Sequence, residues 1–271
     1  MTEAEPLGRQ VERSDLLDHA VRIGLVAYGV VHLLIGWLAV QLALGDHSEQ
    51  ASAQGAMAAL AQQPFGEVLV WAVAVGLYLL VLWRLIEAAF GHRDAEGGNR
   101  VRKRLVSGAK AVVYLALAVT ATRVAAGGGS GGRSSSEETL TAKLMDLPAG
   151  QWIVAAVGLA IIGYGGSYVW RGWTEKFGEH LETEGRLGWS GAGYMLLGQV
   201  GHIAKGLALA LVGVLFTYAG VTHESGKSGG LDEALQTLLR QPFGPVMLIA
   251  IGAGIACFGL FCFARARHLD R

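Results

Sequence analysis

Tyr28, Lys110 and Lys205 are the first candidates for chemistry, because each sits at one repeated register inside a stretch otherwise suited to lipid. A lysine at the centre of a membrane helix costs ~2.5–3.5 kcal/mol on insertion scales, so it needs a path to water or a partner. His32 and Tyr114 follow Tyr28 and Lys110 by four residues, and His202 precedes Lys205 by three, so each set shares one face of its helix. Arg84 and Glu87, three apart near the end of another apolar run, lie at comparable depth, which makes Glu87 a candidate counter-ion. Two readings compete. Either the lysines snorkel to the nearby boundary, or the cluster is an inward-facing anion site in which Glu87, His32, His202 and Tyr114 orient the ammonium groups. The pairs Trp83-Arg84 and Trp170-Arg171 read as interfacial anchors.

Other chemistries lack their signatures. His32 and His202 are of the type that holds haem iron, yet neither recurs in the other units and no Cys-x-x-Cys-His is present. No His, Cys and carboxylate set has metal-ligand spacing, and neither a Walker loop nor a Gly-x-Ser-x-Gly elbow occurs. No cofactor, metal or catalytic residue is therefore expected. Lys and Arg number 22, as do Asp and Glu, so the chain has no basic excess for nucleic acid. Cys257 and Cys262, five apart in one apolar run, read as core thiols.

The elements that must position these residues are membrane helices. Residues 23–45, 147–170 and 241–264 contain no charged side chain, which a helix with one wet face would not tolerate. Six spans are predicted, at roughly 23–44, 66–89, 105–125, 149–170, 199–219 and 244–264. They fall into a repeat at 20–92, a second at 102–172 and a third at 198–267. An N-terminal segment, 1–19, and a linker, 173–197, complete the chain. The first span is too long for a cleaved leader. Between the spans of each repeat comes a hinge: Leu60 to Gly66, Leu144 to Gly150 and Leu238 to Gly244. Pro64, Pro148 and Pro242 read as helix starts, each preceded by a short amphipathic segment fit to lie flat on the membrane surface. Gly127 to Gly132 reads as a flexible tether.

Fourteen Lys and Arg flank the spans on one side, among them Arg100, Arg102, Lys103, Arg104 and Arg171. Five lie opposite: Arg123, Arg133, Lys143, Lys227 and Arg240. Both ends are therefore expected in the cytoplasm. Counted back from the prolines, Gly29, Ala111 and Gly206 are equivalent, and seven residues on stand Gly36, Ala118 and Gly213. Each odd span thus carries a small-residue groove, for packing or for a ligand.

The run Arg22 to Gly29, its echo Gly201 to Gly206, the Gln-Pro-Phe-Gly hinge and the Gly-Leu-Tyr run at Gly76 together resemble a bacterial membrane family, domain of unknown function 1206. The resemblance implies three tandem two-helix units and brings no activity with it. The second unit departs most, with Ala111 for glycine and Pro-Ala-Gly for Pro-Phe-Gly. The expectation is an all-α, six-span protein of the bacterial cytoplasmic membrane with pseudo-threefold symmetry. It binds lipid or a hydrophobic small molecule without catalysis, and possible transport follows from the same site; the alternative is a scaffold subunit packed on other membrane proteins.

Overall fold

The computed structural model describes residues 15–46, 48–91, 97–127, 136–145, 149–177, 188–224, 228 and 230–268. Among them run nine helices and no strand: α1 (Asp15–Ala43), α2 (Ala53–Ala61), α3 (Gly66–Phe90), α4 (Gly97–Ala125), α5 (Ser136–Met145), α6 (Gly150–Trp173), α7 (Gly188–Thr222), α8 (Leu231–Leu239) and α9 (Gly244–Arg267). Six of these, α1, α3, α4, α6, α7 and α9, are long and apolar enough to cross a bilayer. The all-α, six-span reading stands. The helices overrun the expected spans at the Arg- and Lys-rich end. There α7 begins at Gly188, so part of the segment expected as linker, 173–197, is helix continuous with the fifth span.

The hinges correct the sequence expectation. Pro64 and Pro242 do not start helices. Gly66 N–H donates to the Gln63 carbonyl at 2.7 Å and Gly244 N–H to that of Gln241 at 2.8 Å, closing a four-residue turn with proline at its second position. The third residue, Phe65 or Phe243, takes the left-handed conformation at φ 61°, and only then does the helix begin. Ala149 does the same at φ 62°, while Pro148 lies outside the described residues. Gly244 has a steric reason to be glycine, since a Cβ there would stand 2.6 Å from the Leu238 carbonyl oxygen. The proline at the start of a helix is Pro245.

The amphipathic segments before the first and third hinges do not spread their apolar faces on lipid. Gly55, Ala56 and Met57 of α2 and Ala234, Leu235 and Leu238 of α8 are buried against the ends of the spanning helices. A bond from Ala51 N–H to the Asp232 carboxylate, 2.7 Å, ties the loop before α2 to α8. Protein contacts win here because the spanning helices leave an apolar rim for those faces to cover. Of the expected tether only Gly127 is described.

The six long helices form an arc that follows chain order and bends back on itself. Contacts run α4 to α3, α3 to α1, α1 to α9, α9 to α7 and α7 to α6. Glycine sets the closest of these. A Cβ built on Gly206 would stand 2.6 Å from the Gly165 carbonyl oxygen, and one on Gly213 would be 2.7 Å from that of Gly158. Gly29 and Gly36 meet Gly259 and Gly252 of α9 in the same way. Backbones approach because no side chain intervenes, the usual route to helix association in lipid. Thus the small-residue grooves pack each odd helix on the even helix of a neighbouring repeat, and Ala111 and Ala118 are likewise buried. The middle pair behaves differently: α4 and α6 do not pack along their lengths.

Candidate functional site

Near the Arg- and Lys-rich end, α1 and α7 bring three of the sequence candidates into one hydrogen-bonded group. His32 is buried and its Nδ1 lies 2.9 Å from the Tyr28 carbonyl oxygen, one turn back. A carbonyl can only accept, so Nδ1 carries the proton and Nε2 offers a lone pair. Lys205 answers it. Its Nζ donates to His32 Nε2 at 2.9 Å and to the Tyr28 hydroxyl at 2.5 Å. Aromatic faces enclose the same ammonium: the ring centroids of Phe258 at 4.0 Å, Tyr28 at 4.6 Å and Tyr168 at 5.3 Å. Lys205 therefore does not snorkel, because its head is held by interior groups of α1, across the bundle.

Around this group the other candidates take separate places. Tyr114 of α4 meets Tyr28 edge to face at 5.1 Å. His202 is stacked between Phe177 at 4.8 Å and Tyr168 at 5.7 Å, and its Nδ1–H donates to the Gly198 carbonyl at 2.7 Å. It does not bond Lys205, although it stands three residues away. Arg84 pairs with Glu87, and Ser107 of α4 donates to the same carboxylate at 3.2 Å. Glu87 is thus engaged by Arg84 and Ser107 and forms no ion pair with either lysine. Nor is Arg84 an interfacial anchor: it is 6% exposed, with its guanidinium 3.9 Å over the Trp83 ring. Lys110 makes no hydrogen bond or ion pair among the described residues, and it lies within Coulombic reach of Arg84, Arg171, Glu87 and Arg265. Nε of Arg84 and Nε of Arg265 are buried with no hydrogen-bond partner among the described residues. Among the described residues the cluster holds more cations than carboxylates, since Glu87 pairs with Arg84 and leaves Lys110, Lys205 and Arg265 without an ion pair. An anion able to enter an apolar setting would offset that charge.

Sequence reasoning missed Tyr168, Phe258, Ser107 and Arg265. A signal for two of them was present in the even helices. Twenty residues past each proline stand Arg84, Tyr168 and Cys262, and twenty-three past stand Glu87, Arg171 and Arg265. The group at the first of these positions points into the same interior, where Cys262 is buried and free. Gly29, Gly36, Gly206 and Gly213 of the predicted grooves pack in close helix contacts. A shallow apolar groove lies over α1 and α9, lined by Leu33, Gly36, Trp37, Val40, Gly252 and Ala256. Among the described residues no three His, Cys, Asp or Glu are placed to hold a metal ion.

The profile of the family described as Domain of Unknown Function (DUF1206) matches three times, at residues 23–91, 106–175 and 200–268. A protein of Bacillus subtilis (strain 168), "Uncharacterized protein YxxB", is 28% identical over 248 residues, covering 90% of this chain and 88% of the relative. No solved structure matches the chain.

Proposed function

The chain belongs to the DUF1206 family, and from that premise we propose a multi-pass protein of the bacterial cytoplasmic membrane that binds an amphiphile with an anionic head. Its role is binding without catalysis, both ends face the cytoplasm, and membrane lipid is its partner. The observation that carries this reading is the uncompensated positive charge inside the helix arc. Lys110, Lys205 and Arg265 lie there beside the Arg84–Glu87 pair, whose carboxylate Ser107 also engages. A scaffold role would draw on small-residue faces turned outward, and Gly29, Gly36, Gly206 and Gly213 serve internal interfaces instead.

The test is retention of phosphatidylglycerol and phosphatidylcholine by the detergent-purified protein, read by native mass spectrometry. Wild type should keep the anionic lipid preferentially. Lys110→Gln should weaken retention about tenfold, the loss of one charge-assisted bond of ~1.5 kcal/mol, and Lys110→Glu should weaken it further by repulsion. Equal retention in all three proteins would overturn the reading.

A further inference from the structure

The second repeat is built to stay open. In repeats one and three the two spanning helices close on one another through glycines at matching registers. A Cβ on Gly76 of α3 would stand 2.6 Å from Ala27 Cβ, and one on Gly24 of α1 would stand 2.7 Å from the Gly76 carbonyl oxygen. In the third repeat, a Cβ on Gly201 would stand 2.5 Å from Phe258 Cα, while Gly254 abuts Ala204. Counted from the prolines and from the odd-helix small residues, the corresponding positions of the second repeat are Val106 and Ala160. Neither is glycine, and both are exposed. Side chains at both positions remove the close approach that joins the other hairpins, so α4 and α6 stand apart. They are also the least covered of the six spanning helices.

The gap is amphipathic. The two helices carry exposed apolar groups such as Val113 on α4 and Leu159 on α6. At its Arg- and Lys-rich end Lys110 on α4 and Arg171 on α6 lie within Coulombic reach, with Glu87 also in range of Lys110 but already paired with Arg84, and an anion between the two cations would relieve their mutual repulsion. Also within Coulombic reach of Lys110 is the buried Arg84, whose Nε has no hydrogen-bond partner among the described residues.

We propose that the gap between α4 and α6 is a lateral site for a membrane phospholipid, its anionic phosphate between Lys110 and Arg171 and an acyl chain lying along the two helices. This rests on the amphiphile-binding reading and adds the route and the place. The lipid reaches the interior sideways from the bilayer. It occupies the position that the second hairpin's own packing fills in the other two repeats.

The experiment reconstitutes the full chain in vesicles of three parts phosphatidylcholine to one part phosphatidylglycerol. The phosphatidylglycerol carries a diazirine on one acyl chain, and adducts are mapped by mass spectrometry. Adducts should concentrate at least fivefold on α4 and α6 over α1 and α9, and should fall to the ratio of the helices' exposed areas when the diazirine is carried by phosphatidylcholine. Val106→Gly with Ala160→Gly, which restores the pattern of the other repeats, should abolish the enrichment. Val106→Trp, which fills the gap without adding glycine to a helix, should do the same and guards against a folding failure of the first variant. Retention of phosphatidylglycerol with adducts spread in proportion to exposed area would overturn the lateral site and leave the binding reading standing. Absence of both retention and enrichment would overturn both.

Discussion

Replacing Lys205 with methionine should change stability very little, despite the number of contacts the side chain makes. The ammonium forms two bonds from α7 to α1, to Tyr28 and His32, and stands among three aromatic rings. Interhelical hydrogen bonds in a bilayer average ~0.6 kcal/mol and reach ~1.7, while a desolvated cation over aromatic rings adds ~2 kcal/mol. Against that total of ~3 kcal/mol stands the ~2.5–3.5 kcal/mol cost of holding a lysine within the span. The opposing contributions cancel to within about 1 kcal/mol. Tyr28→Phe behaves otherwise. It removes one acceptor and leaves the charge buried, so it should cost ~1 kcal/mol in the wild-type background. In the Lys205→Met background it should cost close to nothing, since the bond it breaks is already gone. Equilibrium unfolding in mixed dodecylmaltoside and SDS micelles measures all four proteins of this cycle. A loss above ~3 kcal/mol for Lys205→Met, or the same Tyr28→Phe penalty in both backgrounds, would refute this account of the ammonium.

Two further outcomes test the frame around the site. With Cys257→Ala and Cys262→Ala as background, an impermeant maleimide on intact cells should label Ser48→Cys and leave Lys103→Cys unlabelled; the opposite pattern would invert the orientation. At the third hinge Pro242→Ala should cost under ~1 kcal/mol, because the turn survives without the ring. Gly244→Ala should cost ~1–3 kcal/mol, because its Cβ meets the Leu238 carbonyl and backbone cannot yield easily. Thermal melts of the two variants distinguish these effects, and equal shifts would refute the steric account.

Much of the frame was legible because bilayer thickness dictates helix length and because the chain repeats its hinges. The register of Gly29, Gly36, Gly206 and Gly213 was legible too, since a seven-residue spacing keeps them on one face. Their partners were not. Periodicity assigns a face to each helix but does not say which helix it meets, so the convergence of Lys205 on Tyr28 and His32 lay beyond it. Arg84 read as an anchor because tryptophan beside arginine commonly marks an interface, whereas its side chain turns inward to Glu87. The hinge prolines were assigned one step too close to the helices. A turn whose third residue is Phe65 or Phe243 in a left-handed conformation contradicts the preference for glycine there, so sequence pattern pointed elsewhere. The gap between α4 and α6 left a trace only in Val106 and Ala160, visible once all three repeats are aligned on both of their helices.

The contact between α1 and α9 joins the first of the six spanning helices to the sixth. Gly36 and Gly252 face one another across that contact, yet the ribosome makes them more than two hundred residues apart. At about 5–20 residues per second, roughly 10 to 40 s separate their appearance. Throughout that interval the glycine face of α1 lies open in the membrane, available to lipid or to any other helix with small residues in matching register. Birth order therefore makes α9 the closing stave, and a chain stopped before Gly244 would leave α1 without the neighbour its glycines are spaced to receive.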